Sequence, residues 1–259
     1  ELVLIASMAL DPITVDGTLT INGSGVAVWA ANADVALFTV NGSLTIKNAN
    51  FTTTGTLFAI AGSGSITLEN GVYNAATVLS IGASATGTVR FNGGCFTTTA
   101  TAIVTTGSCS PTIYFAGADI TATGSSSAIM SIAKEHAYTG TVYVSAGTLE
   151  SFSYRAFSGS MNAEMSGGTV KALAFAFWLN STASTGSFKM TGGTIVAGER
   201  GVGSSVGSPI TISGGTISIT SGTAIYVEST ASLINITGGT FQHTAASTLV
   251  LLNIAGGST

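Results

Sequence analysis

Charged side chains are scarce in this chain. Of its 259 residues, seven are Lys or Arg and eleven are Asp or Glu, whereas about a quarter of the residues in typical soluble domains are charged. The formal net charge is −4, and the few basic residues form no basic stripe along the sequence. The chain therefore lacks the clustered positive charge that is typical of nucleic-acid-binding domains. No apolar run reaches the roughly 18 residues that a membrane-spanning helix needs. The sequence therefore predicts neither a nucleic-acid partner nor a membrane span.

Cysteine and histidine are also rare, with two copies each, whereas glycine is abundant, with 34. A short phrase that contains glycine recurs along the chain. Looser copies begin at residues 18, 43, 65, 88, 112 and 141, and the clearest copies read NAEMSGGTV (162–170), SFKMTGGTI (187–195), PITISGGTI (209–217) and LINITGGTF (233–241). A fixed period of roughly 24 residues indicates a solenoid.

Apolar and polar residues alternate within each copy. The second and fourth positions are apolar, as in Ile210 and Ile212, and the third is mostly polar, as in Thr211. Because strand side chains alternate between faces, one face is buried and the other is exposed. The sixth position is Gly or Asn in all copies but one. These residues tolerate positive φ, which predicts a corner at that position.

Two further apolar columns complete the repeat. One lies at the ninth position, as in Ile217. The other lies further along and reads Phe58, Leu79, Ile103, Ile129, Phe157, Phe177, Val202, Ile225 and Leu249. Three inward strands per repeat predict an all-β, single-domain parallel β-helix of about 10–11 coils over residues 18–259. Residues 1–17 are predicted to form an apolar strand or partial coil that acts as a cap or an assembly segment.

The Gly-Gly-Thr copies resemble the right-handed parallel β-helices of the pectate-lyase-like superfamily. They are most similar to the non-catalytic Gly-Gly-Thr-repeat β-helices of bacterial surface adhesins. The resemblance covers Thr18 to about Leu251 and implies a right-handed coil, which parallel crossovers generally favour. It also implies an extracellular or cell-surface protein with a structural or adhesive function. Catalytic members of the superfamily cut acidic polysaccharides, so a polysaccharide-binding or polysaccharide-cleaving lyase or hydrolase is the alternative.

The acidic residues argue against catalysis. Glycoside hydrolysis needs two carboxyl groups within about 5–10 Å of each other. The predicted columns instead place Glu164 beside Lys189 and Glu150 beside Lys171, which are cross-strand ion pairs. We therefore predict that the chain is not an enzyme.

Nothing in the sequence predicts a cofactor or a metal site. His136 and His243 lie several coils apart, so they cannot share a metal ion, and no Cys/His spacing predicts zinc. The glycines occur at corners rather than in a phosphate-binding loop. The two cysteines, Cys95 and Cys109, fall at different corners of the fold. That separation favours two buried thiols over a disulfide.

Two sets of residues are candidates for ligand binding. Tyr114 and Tyr143 stack in adjacent coils and form either a sugar-binding platform or a plain aromatic stack. The longest coil contains the polar segment AKEHAYTG (133–140), with His136 and Tyr138, which is either a binding loop or a solvated surface loop. The stretch LAFAFWL (173–179) is too apolar for a half-exposed strand. It is predicted either to be buried within the coil or to contact a partner through Trp178.

The remaining predictions concern glycans and the ends of the coil. Five Asn-X-Ser/Thr sequons are possible glycosylation sites, with Asn235 outward-facing: Asn22, Asn41, Asn50, Asn180 and Asn235. The chain begins at Glu1 without Met, so we expect a mature product or a fragment. Neither end shows an amphipathic helix that would cover the terminal coil. This pattern predicts continuation in a larger surface protein or self-association, with assembly residues Leu2, Val3, Leu4, Ile5, Leu249 and Leu251.

Overall fold

The computed structural model describes residues 1–30, 34–180, 182, 186–228, 233–245 and 250–254. The first five coils contain β1 Leu2–Val3, β2 Met8–Leu10, β3 Ile13–Val15, β4 Thr18–Asn22, β5 Ala27–Ala30, β6 Phe38–Val40, β7 Ser43–Thr52, β8 Thr56–Ile60, β9 Ser65–Ala75, β10 Thr77–Ile81, β11 Thr88–Phe91, β12 Cys95–Thr98 and β13 Ile103–Thr105. The remaining coils contain β14 Thr112–Ala116, β15 Asp119–Ala122, β16 Met130–Ser131, β17 Thr141–Ala146, β18 Thr148–Ser151, β19 Arg155–Ser158, β20 Asn162–Met165, β21 Thr169–Ala172, β22 Phe175–Leu179, β23 Ser187–Met190, β24 Thr194–Ala197, β25 Arg200–Ser204, β26 Ile210–Ile212, β27 Thr216–Ile219, β28 Thr223–Val227, β29 Ile234–Ile236, β30 Thr240–His243 and β31 Val250–Ile254.

The strands form two sheets that run along the axis of a solenoid. The first and second strands of each coil belong to a 20-stranded sheet, and the third strands form an 11-stranded sheet from β3 to β31. Each strand pairs in parallel with the equivalent strands of the coils before and after it. The prediction of an all-β parallel β-helix is confirmed, with about ten turns and a form consistent with a single right-handed domain. Over the described part of the chain, no helix is long and apolar enough to cross a membrane.

The predicted inward columns form the core. The side chains at the second, fourth and ninth positions are buried in the middle coils, as at Ile113, Phe115 and Ile120. Only members in the second and last coils, such as Leu19 and Ile236, are partly exposed. Burial of this continuous apolar column is the main driving force of the fold, and each coil depends on its neighbours for it.

The third column differs from the prediction at two places. Ile103 pairs with Met130 and not with Ile129. Both residues are buried, because the third side of the coil presents two successive residues inward, and the second of them is in register with Ile103. Leu249 lies outside the described residues, and Leu252 is the residue that pairs with Ile225.

Aromatic rings stack along the inside of the coil. Tyr73 packs face to face on Phe96 with ring centroids 4.3 Å apart, and Phe157 packs on Phe177 at 4.6 Å. Stacked aromatic pairs add roughly 0.5–1.5 kcal/mol beyond the area they bury. The Tyr73 hydroxyl donates a hydrogen bond to the carbonyl of Asn70 at 2.9 Å, so its burial leaves no unpaired donor.

The two glycines of each Gly-Gly pair turn the corner for different physical reasons. The second glycine adopts positive φ, as Gly215 does at φ +84°, in the region that favours glycine. The first glycine is needed for close approach. A Cβ on Gly214 would lie 2.4 Å from the carbonyl oxygen of Thr191 in the preceding coil. A larger residue at this position would therefore push neighbouring coils apart.

This result corrects the predicted position of the corner. The sequence predicts positive φ at the sixth position, and this is correct at Asn48, Asn70 and Gly117. In the Gly-Gly copies, positive φ falls on the seventh position instead. Either glycine tolerates that conformation, so the pattern alone does not distinguish them.

The amino-terminal segment is built like the coils that follow it. Within residues 1–17, β1 pairs with β4, β2 with β5 and β3 with β6. The segment therefore contributes a strand to each of the three sides of the coil, and its function as a cap or an assembly segment stays a prediction. Leu4 is buried, whereas Leu2, Val3 and Ile5 are exposed.

The two cysteines are free thiols in different environments. Cys109 is buried as predicted, but Cys95 is exposed, because it precedes the inward Phe96 in β12 and the alternation turns it outward. Burial raises the pKa of the Cys109 thiol to about 11.

This difference predicts selective alkylation. At pH 8, iodoacetamide should modify Cys95 quickly and Cys109 at least about 100-fold more slowly, because a thiol with a raised pKa is mostly protonated and only the thiolate reacts. Raising the pH towards 11 should speed the reaction of Cys109. Peptide mass spectrometry over a time course measures both rates, and the protein in 6 M guanidinium is the control in which both thiols should react. Equal rates in the native protein would contradict the buried assignment.

Candidate functional site

The outer face of the first strand carries a continuous column of side chains, which we call the outer ladder. Its members pair coil by coil in the predicted register: Thr20, Thr45, Thr67, Arg90, Tyr114, Tyr143, Glu164, Lys189, Thr211 and Asn235. The parallel pairing of similarly patterned repeats fixes this order, because a slip by one residue would turn the apolar columns outward.

Tyr114 and Tyr143 stack within the outer ladder, as predicted. Their ring centroids are 4.9 Å apart and their planes differ by 11°. The Arg90 guanidinium lies 3.9 Å from the centroid of the Tyr114 ring. Arg90 and Tyr143 are on opposite sides of Tyr114 in the ladder, so both faces of that ring are occupied. A sugar-stacking platform needs a free ring face, and the geometry therefore favours plain aromatic stacking at Tyr114.

The predicted cross-strand ion pairs are confirmed. Lys189 Nζ lies 3.7 Å from Glu164 Oε2, and Lys171 Nζ lies 3.4 Å from Glu150 Oε2. All four side chains are partly exposed to solvent, so each pair contributes at most about 1 kcal/mol to stability.

The segment 133–140 does not bring its two candidate residues to one site. Tyr138 is 1% exposed, and its hydroxyl group donates a hydrogen bond to the Pro111 carbonyl at 2.7 Å. Burial raises the pKa of Tyr138 above its usual range. Direct ligand contact by Tyr138 is incompatible with this core position. His136 is half-buried, with Nδ1 3.1 Å from Thr105 Oγ1, on the 11-stranded sheet and away from the tyrosines of the outer ladder.

A cluster of aromatic and arginine side chains that was not predicted from the sequence lies on the outer face of the 11-stranded sheet. Phe175 follows Arg155 and precedes Arg200 in register, so one ring lies between two guanidinium groups. The distances from the guanidinium carbons to the Phe175 centroid are 5.7 and 4.7 Å. The column lies two residues before the third apolar column, where strict alternation predicts an inward side chain. It faces outward because this side presents two successive residues inward, such as Ala176 and Phe177, so alternation alone does not identify it.

Trp178 belongs to the same cluster. Its ring lies 5.1 Å from that of Phe175 and 6.1 Å from that of Tyr226. Gly203, the register partner of Trp178 in the next coil, leaves room for the indole. The stretch 173–179 is therefore buried within the molecule from Ala174 onward, and only Leu173 remains exposed.

Arg155 has few partners for its donors. Its Nη1 donates to Ser158 Oγ at 3.4 Å, and its Nε is buried without a hydrogen-bond partner among the described residues. Burial lowers the pKa of Arg155, while the Tyr154 hydroxyl and the Glu228 carboxylate oppose that shift. No ion pair within 4.0 Å joins Arg155 to an acid in the described ranges.

A cavity of about 310 Å³ lies beside Arg155, at the corner between the second and third sides of the coil. Thr101, Ala128 and Tyr154 contribute to its wall. The rest of the lining, apart from Arg155, consists of serines: Ser125, Ser126, Ser127, Ser131, Ser153 and Ser158. The site therefore combines many hydroxyl groups with one guanidinium and one half-exposed tyrosine ring.

The five sequons differ in accessibility. Asn41 and Asn235 are exposed, and Asn22 and Asn50 are half-buried. Asn180 is buried, and its Oδ1 accepts a hydrogen bond from the Gly159 amide at 3.1 Å. A glycan on Asn180 is incompatible with this arrangement, whereas glycosylation of the other four stays a prediction.

Among the residues described, no group of three or more His, Cys, Asp or Glu side chains is arranged to hold a metal ion. Comparison of the chain with protein-family models, with curated proteins and with solved structures finds no match.

Proposed function

We propose that the chain forms an extracellular structural or adhesive rod whose copies associate end to end. One support for this proposal is the resemblance of the Gly-Gly-Thr repeats to those of surface adhesins in the pectate-lyase-like superfamily. A rod of parallel coils holds its outward side chains in fixed columns, which suits display on a cell surface. The geometry of the first and last coils supports association between copies.

The exposed apolar residues of the terminal coils carry this proposal. In the first coil, Val3 is 49% exposed and Ile5 is 90% exposed, and in the last coil Leu233, Val250 and Ile254 are exposed. Over the described residues, β1 pairs only with β4, and β31 pairs only with β28. Unpaired strand edges beside apolar side chains are a template for pairing with another chain.

The repeat favours a second copy of this chain as the partner that pairs with these exposed strand edges. Every internal junction joins the same inward and outward columns, as at Ile212 and Ile236. The first coil of one copy therefore offers the last coil of another the kind of surface that each coil offers its neighbour. A head-to-tail contact of this kind does not close on itself and generates a filament.

Charge at the first coil should abolish this association. The double variant Val3→Lys and Ile5→Lys should shift filaments or oligomers to monomers without changing the circular dichroism spectrum, because both side chains are exposed in the monomer and edge lysines oppose strand pairing. Sedimentation velocity over a concentration series, with negative-stain images of the same samples, measures the effect.

The matched control is Val196→Lys, which places a lysine on a 38% exposed valine in an internal coil. It should associate as the unmodified protein does. An unmodified protein that sediments as a monomer at every concentration would reject end-to-end association, as would a double variant that still assembles.

A further inference from the structure

We propose that the serine-lined cavity beside Arg155 binds a sugar of hexose size that carries one sulfate ester. This inference goes beyond the structural function proposed above and does not depend on end-to-end association. The site combines a partly open cavity, a guanidinium whose Nε has no hydrogen-bond partner among the described residues, and several hydroxyl groups in one place.

The size and lining of the cavity indicate a small polar ligand. Its volume of about 310 Å³ is at the lower end of the range of small-molecule sites, which is about 300–1,000 Å³. Ser125 and Ser126 are exposed at its rim, and a hydroxyl group can either donate or accept a hydrogen bond. Phe175 and the Arg155 guanidinium lie 4.8 and 5.2 Å from the centroid of the Tyr154 ring, and the half of Tyr154 that stays exposed adds an apolar surface for the C–H groups of a sugar.

Arg155 is the residue that would bind the anionic group of the ligand. Its guanidinium has five donors in a fixed fork, of which Nη1 has one long contact to a protein oxygen. A neighbouring oxyanion would receive charge-assisted hydrogen bonds, which are about twice as strong as neutral ones.

The local charge favours a monoanion with several oxygens. Arg155 is the only cationic side chain in the cavity wall, and the Glu228 carboxylate opposes the lowering of its pKa by burial. A dianion such as a phosphate monoester would carry more negative charge than this site can balance. A sulfate ester carries one charge on three acceptor oxygens, which the guanidinium and the exposed Ser125 and Ser126 hydroxyls can satisfy together, whereas a carboxylate offers two oxygens. The Ser127 and Ser153 hydroxyls already donate to the carbonyls of Gly124 and Ser125.

The test is an NMR titration of the full chain carrying Val3→Lys and Ile5→Lys, which is expected to be monomeric, read from the backbone amides of residues 125–131 and 153–158. Galactose 6-sulfate should shift these resonances and saturate with a Kd of about 1 mM, as expected for a ligand of its size. Galactose, inorganic sulfate and glucuronic acid should each bind at least about 10-fold more weakly, because each lacks part of what the site recognises.

Four variants test the site, because they are expected to weaken, strengthen, abolish or leave unchanged the binding of galactose 6-sulfate. Arg155→Gln should weaken binding of galactose 6-sulfate at least about 10-fold, and Glu228→Gln should strengthen it about twofold by removing a competing negative charge. Arg90→Gln is the matched control, because Arg90 also lies over a tyrosine ring but on the other sheet, and it should bind normally. Ser126→Trp fills the rim of the cavity and should abolish binding while it leaves Arg155 in place.

The proposal is overturned if Arg155→Gln, folded by circular dichroism, keeps its affinity for galactose 6-sulfate. Inorganic sulfate that binds as tightly as the sulfated sugar would reject sugar recognition. Glucuronic acid or galactose that binds as tightly would reject the sulfate ester. If Arg155→Gln does not fold, normal binding by Ser126→Trp overturns the proposal instead.

Discussion

The Ile212→Asp protein is expected to lose its native circular dichroism at temperatures where the unmodified protein stays folded. Ile212 is buried between Met190 and Ile236 in the fourth-position column. A carboxylate at this point has no cation or donor beside it, and burial of an unpaired charge costs several kcal/mol. We expect the free energy of unfolding to fall by about 4 kcal/mol or more, which is a large part of the stability of a domain.

The neighbouring position supplies the control. Thr211 lies one residue earlier, on the outer face, in register with Lys189 and Asn235. Thr211→Asp should change the free energy of unfolding by less than about 0.5 kcal/mol, the usual size of a surface effect. Thermal and urea unfolding, followed by circular dichroism, measure both variants. Equal stability of the two aspartate variants would show that the inward and outward assignments are wrong.

The Gly214→Ala protein is expected to be less stable by about 1–3 kcal/mol, the cost typical of overpacking. Gly214 has no positive φ, so an alanine there meets no conformational penalty. Its Cβ, however, would lie 2.4 Å from the carbonyl oxygen of Thr191, and that atom belongs to the backbone of the preceding coil. The coils must separate locally to accept the methyl group, which weakens the hydrogen bonds between them.

Gly17→Ala tests whether this loss comes from the contact between coils. A Cβ on Gly17 would meet nothing within 4 Å, and its φ is not positive. The substitution should be neutral or stabilise the protein by up to about 1 kcal/mol, because alanine restricts the unfolded chain. Urea unfolding of both variants under the same conditions gives the comparison. A Gly214→Ala protein as stable as Gly17→Ala would contradict the close approach seen at the corner.

The inward and outward columns could be predicted from the sequence because one rule determines them. Alternation along a strand fixes which face each residue occupies, and the repeat fixes which residues meet across coils. The pairing of Arg90 with Tyr114 and of Glu164 with Lys189 follows directly. The same rule, applied to Phe96, would also have placed Cys95 outside.

Features that break the period could not be predicted in this way. Tyr138 belongs to the segment that makes its coil longer, and only the folded chain shows that its ring is buried and that its hydroxyl group reaches the Pro111 carbonyl. The cavity beside Arg155 also depends on the path of the chain at a corner, where residues from three coils meet. Corners have no repeating pattern of burial, so a column analysis does not identify the residues that meet there.

The hydrogen bonds between coils run parallel to the long axis, and this direction determines how the rod responds to a pulling force. Tension between the first and last coils acts along those bonds rather than across them. If the force enters at one strand, it breaks the bonds of that strand in sequence, as a zipper opens, and then passes to the next side of the coil. Each coil released adds its contour length of roughly 24 residues, on the order of 80 Å when extended. The rod would therefore lengthen in many small steps and keep the rest of its surface intact while it dissipates mechanical work.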